Sequence, residues 1–392
     1  MAVSRREFIK KMGVATGSLA AATVIPSAVL TGCASTDTGT GTAAAHRGNS
    51  PIFQPTKIGS LTLKNKMFRA AMLELRHDTD GNPTPALVKM VEEDAAGGVG
   101  MVTVGSTRVL KEHIYNPDGS YTGRGGFYDA SQLPIYKQIT GVIHDNGAKA
   151  CIQLSLASTF ERPPTVEDIR RFVNGFANTA VLVRDAGFDA LSFHFAHRYG
   201  IATFMSHYAN TRTDDYGGTI ENRARFPFEI VEAVRRAVGR DFPLTAKIDA
   251  DDHRIGTGGS QEDTNYIVQG LGDRGIDAVE ISGAQLGSYT KDILSKEDQN
   301  FFARDARAIA KSVNVPLILT GGVRNVEMME EALKFNDKIV GFGMARTILS
   351  EPGLPNKWQR NTNHVPRCIS CNWCTDNLFT NIIANCVLGR EV

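Results

Sequence analysis

The chain has 392 residues, of which 42% are hydrophobic and 22% charged, and its formal net charge is +1. These values are ordinary for a soluble enzyme. They give no basic excess that would favour nucleic acid or an anionic surface as a partner.

The first 33 residues are predicted to be a targeting segment. Ser4–Lys10 reads SRREFIK and resembles a twin-arginine export signal. The apolar run Met12–Leu30 is broken by glycines and a proline, so a membrane-spanning helix is not expected. The run ends in a sequence resembling a bacterial lipobox, in which Cys33 would be lipidated. We therefore predict export to the periplasmic side with a lipid anchor, the alternative being an ordinary N-terminal helix, and we predict a flexible linker over 34–50.

The rest of the chain alternates short apolar runs with longer amphipathic ones, which predicts an α/β fold, a (β/α)8 TIM barrel over residues 51–355. No G-x-G-x-x-G follows a strand, so an open dinucleotide-binding sheet is not favoured. The predicted strands are Met67–Met72, Met101–Val104, Ala148–Leu154, Ala190–His194, Leu244–Ile248, Ala278–Ile281, Leu317–Thr320 and Ile339–Phe342. The predicted helices are Pro85–Ala96, Leu133–Asn146, Val166–Ala186, Ile220–Val238, Glu262–Asp273, Gln299–Ser312 and Val326–Phe335.

The stretch Leu191–Phe226 carries the candidate catalytic residues. His194 ends a predicted strand, and His197 and Tyr199 follow it, which is how such a barrel presents reactive side chains. The pattern H-x-x-H-x-Y and the later R-T-D-x-Y-G-G-x-x-x-N-R-x-R-F resemble the old yellow enzyme family of FMN-dependent reductases. The resemblance implies that both histidines donate hydrogen bonds to an oxygen of an activated alkene, that flavin N5 supplies hydride, and that Tyr199 protonates the α carbon. The alternatives are a structural or metal-binding histidine pair, although no third metal ligand is evident, and a packing role for Tyr199.

Several other strand ends carry residues that could hold FMN. A glycine such as Gly105 lets a ring approach the backbone, and a buried amide (Gln153) or a lone buried cation (Lys247) needs a partner. The loops after strands seven and eight form the usual phosphate site of such barrels. The alternatives are core packing for Met72, a satisfied buried amide for Gln153 and a salt bridge to a barrel aspartate for Lys247. Leu73 stands where the family has Thr or Cys. The residues expected to bind FMN are Ala70, Ala71, Met72, Gly105, Gln153, Lys247, Gly321, Gly322, Gly343 and Arg346.

A short cysteine-rich extension is predicted over residues 356–392. Cys368, Cys371, Cys374 and Cys386 give the spacing C-x2-C-x2-C-x11-C, which suits an iron–sulfur cluster. The segment resembles the [4Fe–4S] segment of trimethylamine dehydrogenase and 2,4-dienoyl-CoA reductase, whose further nucleotide-binding domains are not expected here. A four-thiolate zinc site and two disulfides are the alternatives.

Together these features predict an exported, lipid-anchored FMN and iron–sulfur reductase of small activated alkenes. Little NAD(P)H is available outside the cytoplasmic membrane, so we hypothesise that a membrane quinol or a cytochrome delivers electrons through the cluster. Amine oxidation of the trimethylamine dehydrogenase kind and a non-catalytic electron-transfer flavolipoprotein are the alternatives, and the departures at Leu73 and 155–159 keep the latter open. The sequence is also compatible with a homo-oligomer.

Overall fold

A computed structural model describes residues 49–114, 122–156, 162–197, 199–250, 261–283, 293–294, 299–376 and 385–391. The predicted export signal, the lipidation site at Cys33 and nearly all of the predicted linker lie outside these residues. Within the described ranges, no helix combines the length and apolar character that a bilayer span requires.

Eight parallel strands form a closed barrel, which confirms the predicted (β/α)8 fold. The eighth strand pairs with the first through Phe342 and Met67, and the first pairs with the second through Phe68 and Met101, so the eight strands close on themselves. A two-residue strand, Gly125–Gly126, adds to the end of the second strand. The strands are Met67–Arg69, Met101–Arg108, Lys149–Ser155, Ala190–Phe195, Leu244–Asp249, Ala278–Ser282, Leu317–Thr320 and Ile339–Met344.

Two strands differ from the prediction in a way that shapes the opening of the barrel. The first strand ends at Arg69, and 70–72 leave the ladder after Ala70 N–H donates to the carbonyl of Met344. The second strand continues to Arg108, because a register shift after Val104 brings its last residues back into pairing with the third strand. Gly105 permits this shift with a φ of +114°.

Seven helices alternate with the strands on the outside of the barrel. Thr165 illustrates how local sequence sets their ends: its hydroxyl accepts from Asp168 N–H, and the Asp168 carboxylate accepts in return from Thr165 N–H. The sixth of these helices, Ala303–Ala310, begins later than predicted because Asn300 has a φ of +49° and its N–H donates to the carbonyl of Gly322. The outer helices are Pro85–Ala96, Leu133–Asp145, Val166–Asp185, Ile220–Val238, Gln261–Asp273, Ala303–Ala310 and Val326–Phe335. Shorter helices are Gly200–Met205, Arg346–Ser350, Leu354–Arg360 and Trp373–Asp376.

A hairpin that the sequence analysis missed closes the amino-terminal end of the barrel. Its strands, Thr56–Ile58 and Leu61–Leu63, pair antiparallel, and Thr56 Oγ1 donates to the carbonyl of Val340 at 2.8 Å. Ile58 and Leu63 are fully buried against the first residues of the barrel strands, alongside Cys151 in its predicted core position. The carboxyl ends of the strands therefore form the open end, where a ligand can enter.

The C-terminal segment begins inside the barrel packing rather than after it. The helix Leu354–Arg360 crosses the predicted boundary at 355/356 and buries Trp358 in the core. Near the chain end, Arg390 donates to Asp94 Oδ1 at 2.8 Å and to Glu93 Oε2 at 3.0 Å, which ties the segment to the first outer helix.

Candidate active site

A cavity of about 230 Å³ opens at the carboxyl ends of the strands. The structure brings together here all three predicted catalytic residues, His194, His197 and Tyr199. Six of the predicted FMN-binding residues and one predicted metal ligand also line it: Ala70, Ala71, Met72, Gln153, Lys247, Arg346 and Cys374. This shared lining makes the cavity the candidate active site.

The two histidines and the tyrosine form one compact group. The imidazole centroids of His194 and His197 are 5.0 Å apart with an interplanar angle of 77°, and the centroid of Tyr199 is 5.5 Å from that of His194. His194 is the last residue but one of the fourth barrel strand, and Tyr199 occupies the N-cap position of the short helix Gly200–Met205. Two ring N–H donors and one hydroxyl can therefore approach the same small ligand.

His197 is held by its backbone as well as its ring. Its φ of +66° lies in the left-handed region, which a side chain adopts only when its surroundings fix it. The His197 backbone N–H donates to Asp249 Oδ2 at 2.8 Å, and its Nε2 lies 3.0 Å from Ser282 Oγ. The ends of the fifth and sixth strands thus set the direction of the ring.

Both imidazoles are neutral at ordinary pH. Burial lowers the pKa of His194 well below its usual value, and the electrostatic influence of the neighbouring His197 and the positive charge of Lys247 lower it further. Burial, followed by the charge of Lys247, lowers the pKa of His197 to about 3. A neutral imidazole carries one N–H, so each ring can donate one hydrogen bond without bringing a charge into the cavity.

Lys247 and Gln153 are two buried polar residues that line the cavity. Lys247 Nζ lies 3.0 Å from Glu280 Oε1, with 3% and 9% of the two side chains exposed, and Thr320 Oγ1 donates to the same carboxylate oxygen at 2.6 Å. The salt bridge that was one alternative for Lys247 is therefore present, with a glutamate as its partner. Gln153 is 2% exposed, and its Nε2 makes a long 3.5 Å contact with Ser192 Oγ.

These groups fit a flavin ring. His194 Nδ1 is buried and has no hydrogen-bond partner in the described part of the protein, and the weakly bonded amide of Gln153 also lines the cavity. Buried polar groups of this kind require partners, which the ring nitrogens and oxygens of FMN and a substrate oxygen would supply. Ala70, Ala71 and Met72 add apolar surface and backbone groups beside them.

The four predicted glycine contacts are not among the cavity-lining residues. A Cβ at Gly105 would come within 2.7 Å of the carbonyl of Gln153, and one at Gly322 within 2.7 Å of Asn300 N. A Cβ at Gly321 would meet the rings of 301 and 302, and one at Gly343 would overlap Thr320 Oγ1. These glycines permit close packing immediately behind the cavity, and their contact with FMN stays a prediction.

The cysteine segment packs beside the same cavity. Arg324, 6% exposed, donates to the carbonyls of Cys368 at 2.7 Å and Pro366 at 3.0 Å. Arg346 Nη1 donates to Asn372 Oδ1 at 2.7 Å. These bonds fix the segment so that Cys374 faces the cavity that holds His194.

The four predicted cluster ligands are present as thiols in the described ranges. The five cysteines in the described ranges form no disulfide with one another, which disagrees with the disulfide alternative, and no group of three or more His, Cys, Asp or Glu among those residues has metal-binding geometry. Burial raises the pKa of Cys374 and of Cys386, and the neighbouring Cys368 and Cys371 raise both further. Four thiols close enough to influence one another form a donor set that suits a cluster, and residues 377–384 between Cys374 and Cys386 lie outside the described ranges.

The sequence analysis missed three polar residues of the cavity. Arg108 ends the second strand, Arg124 places its guanidinium carbon 5.7 Å from the ring centroid of Tyr199, and Ser282 orients His197. Arg108 is 1% exposed, and its Nη1 donates to Ser155 Oγ at 2.7 Å and to the carbonyl of Leu156. The predicted second strand stopped at Val104, so Arg108 was not recognised as a strand-end residue.

Comparison with known proteins shows the family to which this chain belongs. The family model described as NADH:flavin oxidoreductase / NADH oxidase matches residues 51–159 and 155–364. The chain is 30% identical to a 4,4'-dithiodibutanoate disulfide reductase of Rhodococcus erythropolis, covering 87% of this chain and 96% of that protein. It is 27% identical to a metal reductase of Desulforamulus reducens, covering 87% of this chain but only 54% of that longer protein.

Solved structures share the fold. Old yellow enzyme from Pichia sp. AKU4542 aligns with a TM-score of 0.68 and 21% identity, over 83% of this chain and 91% of that one. Histamine dehydrogenase from Rhizobium sp. 4-9 aligns with a TM-score of 0.73 and 22% identity, over 86% of this chain and 52% of that one. The match of the family model over most of the barrel, together with this fold, shows that the chain belongs to the old yellow enzyme-like NADH:flavin oxidoreductase / NADH oxidase family.

Proposed function

We propose that this oxidoreductase binds FMN in the cavity and reduces an activated carbon–carbon double bond. The observation that carries the proposal is the group of His194, His197 and Tyr199 in one cavity with Gln153 and Lys247. When bound, FMN supplies hydride from N5 to the β carbon of the alkene. Gln153 and Lys247 would hold the ring, and Arg346 would contribute charge toward its phosphate.

The chain's own residues would then polarise and protonate the substrate. His194 and His197 donate from neutral N–H groups to the carbonyl, carboxylate or nitro oxygen, where negative charge develops as the double bond is reduced. Asp249 and Ser282 keep His197 aimed at that oxygen. Tyr199 donates its hydroxyl proton to the α carbon, which completes the addition of hydride and proton across the double bond.

Reduced protein mixed with 2-cyclohexenone under anaerobic conditions tests this proposal. The flavin should reoxidise, and one cyclohexanone should appear for each two electrons lost. Tyr199→Phe should slow this step while leaving FMN binding unchanged. Reoxidation no faster than in a mixture without the alkene contradicts the proposal.

Disulfide reduction is a second candidate for the acceptor. It is favoured by the 30% identity to the 4,4'-dithiodibutanoate disulfide reductase, which extends over 96% of that relative. Mixing the same reduced protein with 4,4'-dithiodibutanoate separates the candidates. Faster flavin oxidation by the disulfide than by every enone tested would move the assignment to this class.

Amine oxidation is a weaker candidate, although histamine dehydrogenase shares the fold. Arg108, Arg124, Lys247 and Arg346 line the cavity, and none of its described lining residues is a carboxylate. Positive charges of this kind disfavour a protonated amine. Trimethylamine should therefore fail to reduce the oxidised flavin.

For the electron supply we propose the cysteine segment. Cys368, Cys371, Cys374 and Cys386 would hold a [4Fe–4S] cluster, and Cys374 lines the cavity proposed for FMN. Iron analysis of anaerobically purified protein should find about four irons per chain, and Cys374→Ser should reduce that content. Rapid flavin reduction by NADH together with no reduction by a quinol analogue would contradict delivery from a membrane partner.

Export and lipid anchoring are proposed from the amino-terminal motifs alone. Replacing Arg5 and Arg6 with lysine should retain the protein in the cytoplasm, and Cys33→Ala should release it from the membrane fraction. Unchanged fractionation of both variants would contradict the proposal.

A further inference from the structure

We propose that Arg108 and Arg124 form a binding site for a carboxylate on the substrate, beside the group that polarises the double bond. The substrate class is then an activated alkene, or another reducible acceptor, that also carries a carboxylate. This inference rests on the proposed function for the identity of the reducible group, whereas binding of the carboxylate can be tested without turnover.

The strongest observation is the burial of Arg108. Only 1% of this residue is exposed, and its hydrogen bonds go to neutral partners, Ser155 Oγ and the carbonyl of Leu156. Its Nε is buried without a hydrogen-bond partner in the described ranges. An arginine stays charged in proteins, and a buried charge ordinarily has a counter-charge.

No described carboxylate supplies that counter-charge. None forms an ion pair with Arg108 within the described ranges, and the charged groups that influence it are Arg124 and Tyr199. Burial, and then the nearby charge of Arg124, lower the pKa of Arg108 well below its usual value. Two guanidinium groups that repel each other next to a cavity would both be stabilised by one anion bound between them.

The other two cations of the cavity are already engaged. Lys247 pairs with Glu280 at 3.0 Å, and Arg346 donates to Asn372 at 2.7 Å beside the loop proposed for the FMN phosphate. The guanidinium carbon of Arg124 lies 5.7 Å from the ring centroid of Tyr199. The charges of Arg108 and Arg124 both lower the pKa of His194. The cationic pair therefore belongs to the substrate region of the cavity.

Binding of two nearly isosteric ketones to the purified holoprotein tests the site. 4-Oxopentanoate carries a carboxylate where hexane-2,5-dione carries an acetyl group, and neither contains a double bond to be reduced. By isothermal titration calorimetry, the wild-type protein should bind the acid about 10- to 100-fold more tightly, as expected for hydrogen bonds to a charged group. Arg108→Gln should remove most of that preference, and Arg108→Lys should retain part of it.

Two further variants keep the test independent of folding defects. Arg124 is half-buried, so Arg124→Gln tests the same charge with less disturbance of the barrel. Arg307 lies exposed on the outer helix Ala303–Ala310, and Arg307→Gln is the matched control that should leave both affinities unchanged. Equal binding of the acid and the dione by the wild-type protein, or an unchanged preference in both Arg108→Gln and Arg124→Gln, overturns the proposal.

The unsaturated pair, (E)-4-oxopent-2-enoate and (E)-hex-3-ene-2,5-dione, then connects the site to turnover. Arg108→Gln should raise KM for the acid about 10-fold or more relative to the dione. If neither alkene reoxidises the flavin while the calorimetric preference for 4-oxopentanoate holds, the ene-reductase proposal fails and the carboxylate site stands.

Discussion

The ion pair between Lys247 and Glu280 gives the most quantitative prediction. The two groups lie 3.0 Å apart and are 3% and 9% exposed. At an effective dielectric constant of about 20, charges at this distance attract by about 5 to 6 kcal/mol, part of which offsets the cost of removing them from water. Lys247→Met leaves the Glu280 carboxylate buried with a hydrogen bond from Thr320 but without its counter-charge, so we expect a loss of about 3–5 kcal/mol in the free energy of unfolding.

A double-mutant cycle separates the pair from general damage to the core. Glu280→Gln keeps an acceptor for Thr320, so the double variant Lys247→Met/Glu280→Gln should lose much less stability than the sum of the single variants. Urea unfolding of the flavin-free wild-type protein, the two single variants and the double variant measures the four free energies of unfolding that the cycle needs. The exposed pair Lys111–Asp80, with 56% and 65% exposed side chains, is the control, and Asp80→Asn should cost less than about 1 kcal/mol.

The same variants should change the reduction potential of bound FMN in opposite directions. Lys247→Met removes a cation from the cavity, which lowers the potential because reduction adds negative charge to the ring. Glu280→Gln removes the anion behind that cation, which raises the potential. A coupling energy below about 1 kcal/mol, or potentials that move in the same direction, would refute the electrostatic argument.

Three further predictions concern the catalytic group and the packing behind it. Tyr199→Phe should slow alkene reduction about 100-fold or more without slowing flavin reduction, which stopped-flow measurement of the two half-reactions distinguishes; equal rates would remove Tyr199 as the proton donor. His197 has a pKa lowered from 6.5 to about 3, so the unfolded chain takes up a proton that the folded protein does not. Stability should thus be independent of this group above pH 6.5 and should fall as the pH drops from 6.5 towards 3. His197→Asn should flatten that slope by up to about 1.4 kcal/mol per pH unit, and an unchanged slope would contradict the assigned burial. Gly343→Ala would overlap Thr320 Oγ1 and should cost about 1–3 kcal/mol, whereas Gly141→Ala faces open space and serves as the control; equal unfolding midpoints would contradict the packing.

The barrel could be predicted because its periodicity is strong. Each strand from Met101 to Met344 is an apolar run followed by an amphipathic helix, and the eight strands fell within a few residues of their observed positions. The hairpin at 56–63 could not be recognised, because six residues with one intervening turn give too short a pattern to separate a strand from a loop. Its role depends on tertiary contacts such as Thr56 with Val340.

The sequence predicts the site residues that belong to one motif. It does not predict those whose role depends on a contact between distant parts of the chain. His194, His197 and Tyr199 follow a single strand, so one stretch of sequence places them together. The pairing of Lys247 with Glu280 joins two strands, and only the sheet register shows that they are opposite each other. Arg108 is recognised as a strand-end residue only from the structure, in which the bulge at Gly105 returns the second strand to its pairing with the third.

The visible spectrum and released cofactor of anaerobically purified protein test the central claim most directly. If the cavity lined by His194, His197, Tyr199, Gln153 and Lys247 holds FMN, the protein should be yellow or brown and should release about one FMN per chain on denaturation. A colourless protein that fails to take up added FMN, while its fold remains intact by circular dichroism, would contradict the claim.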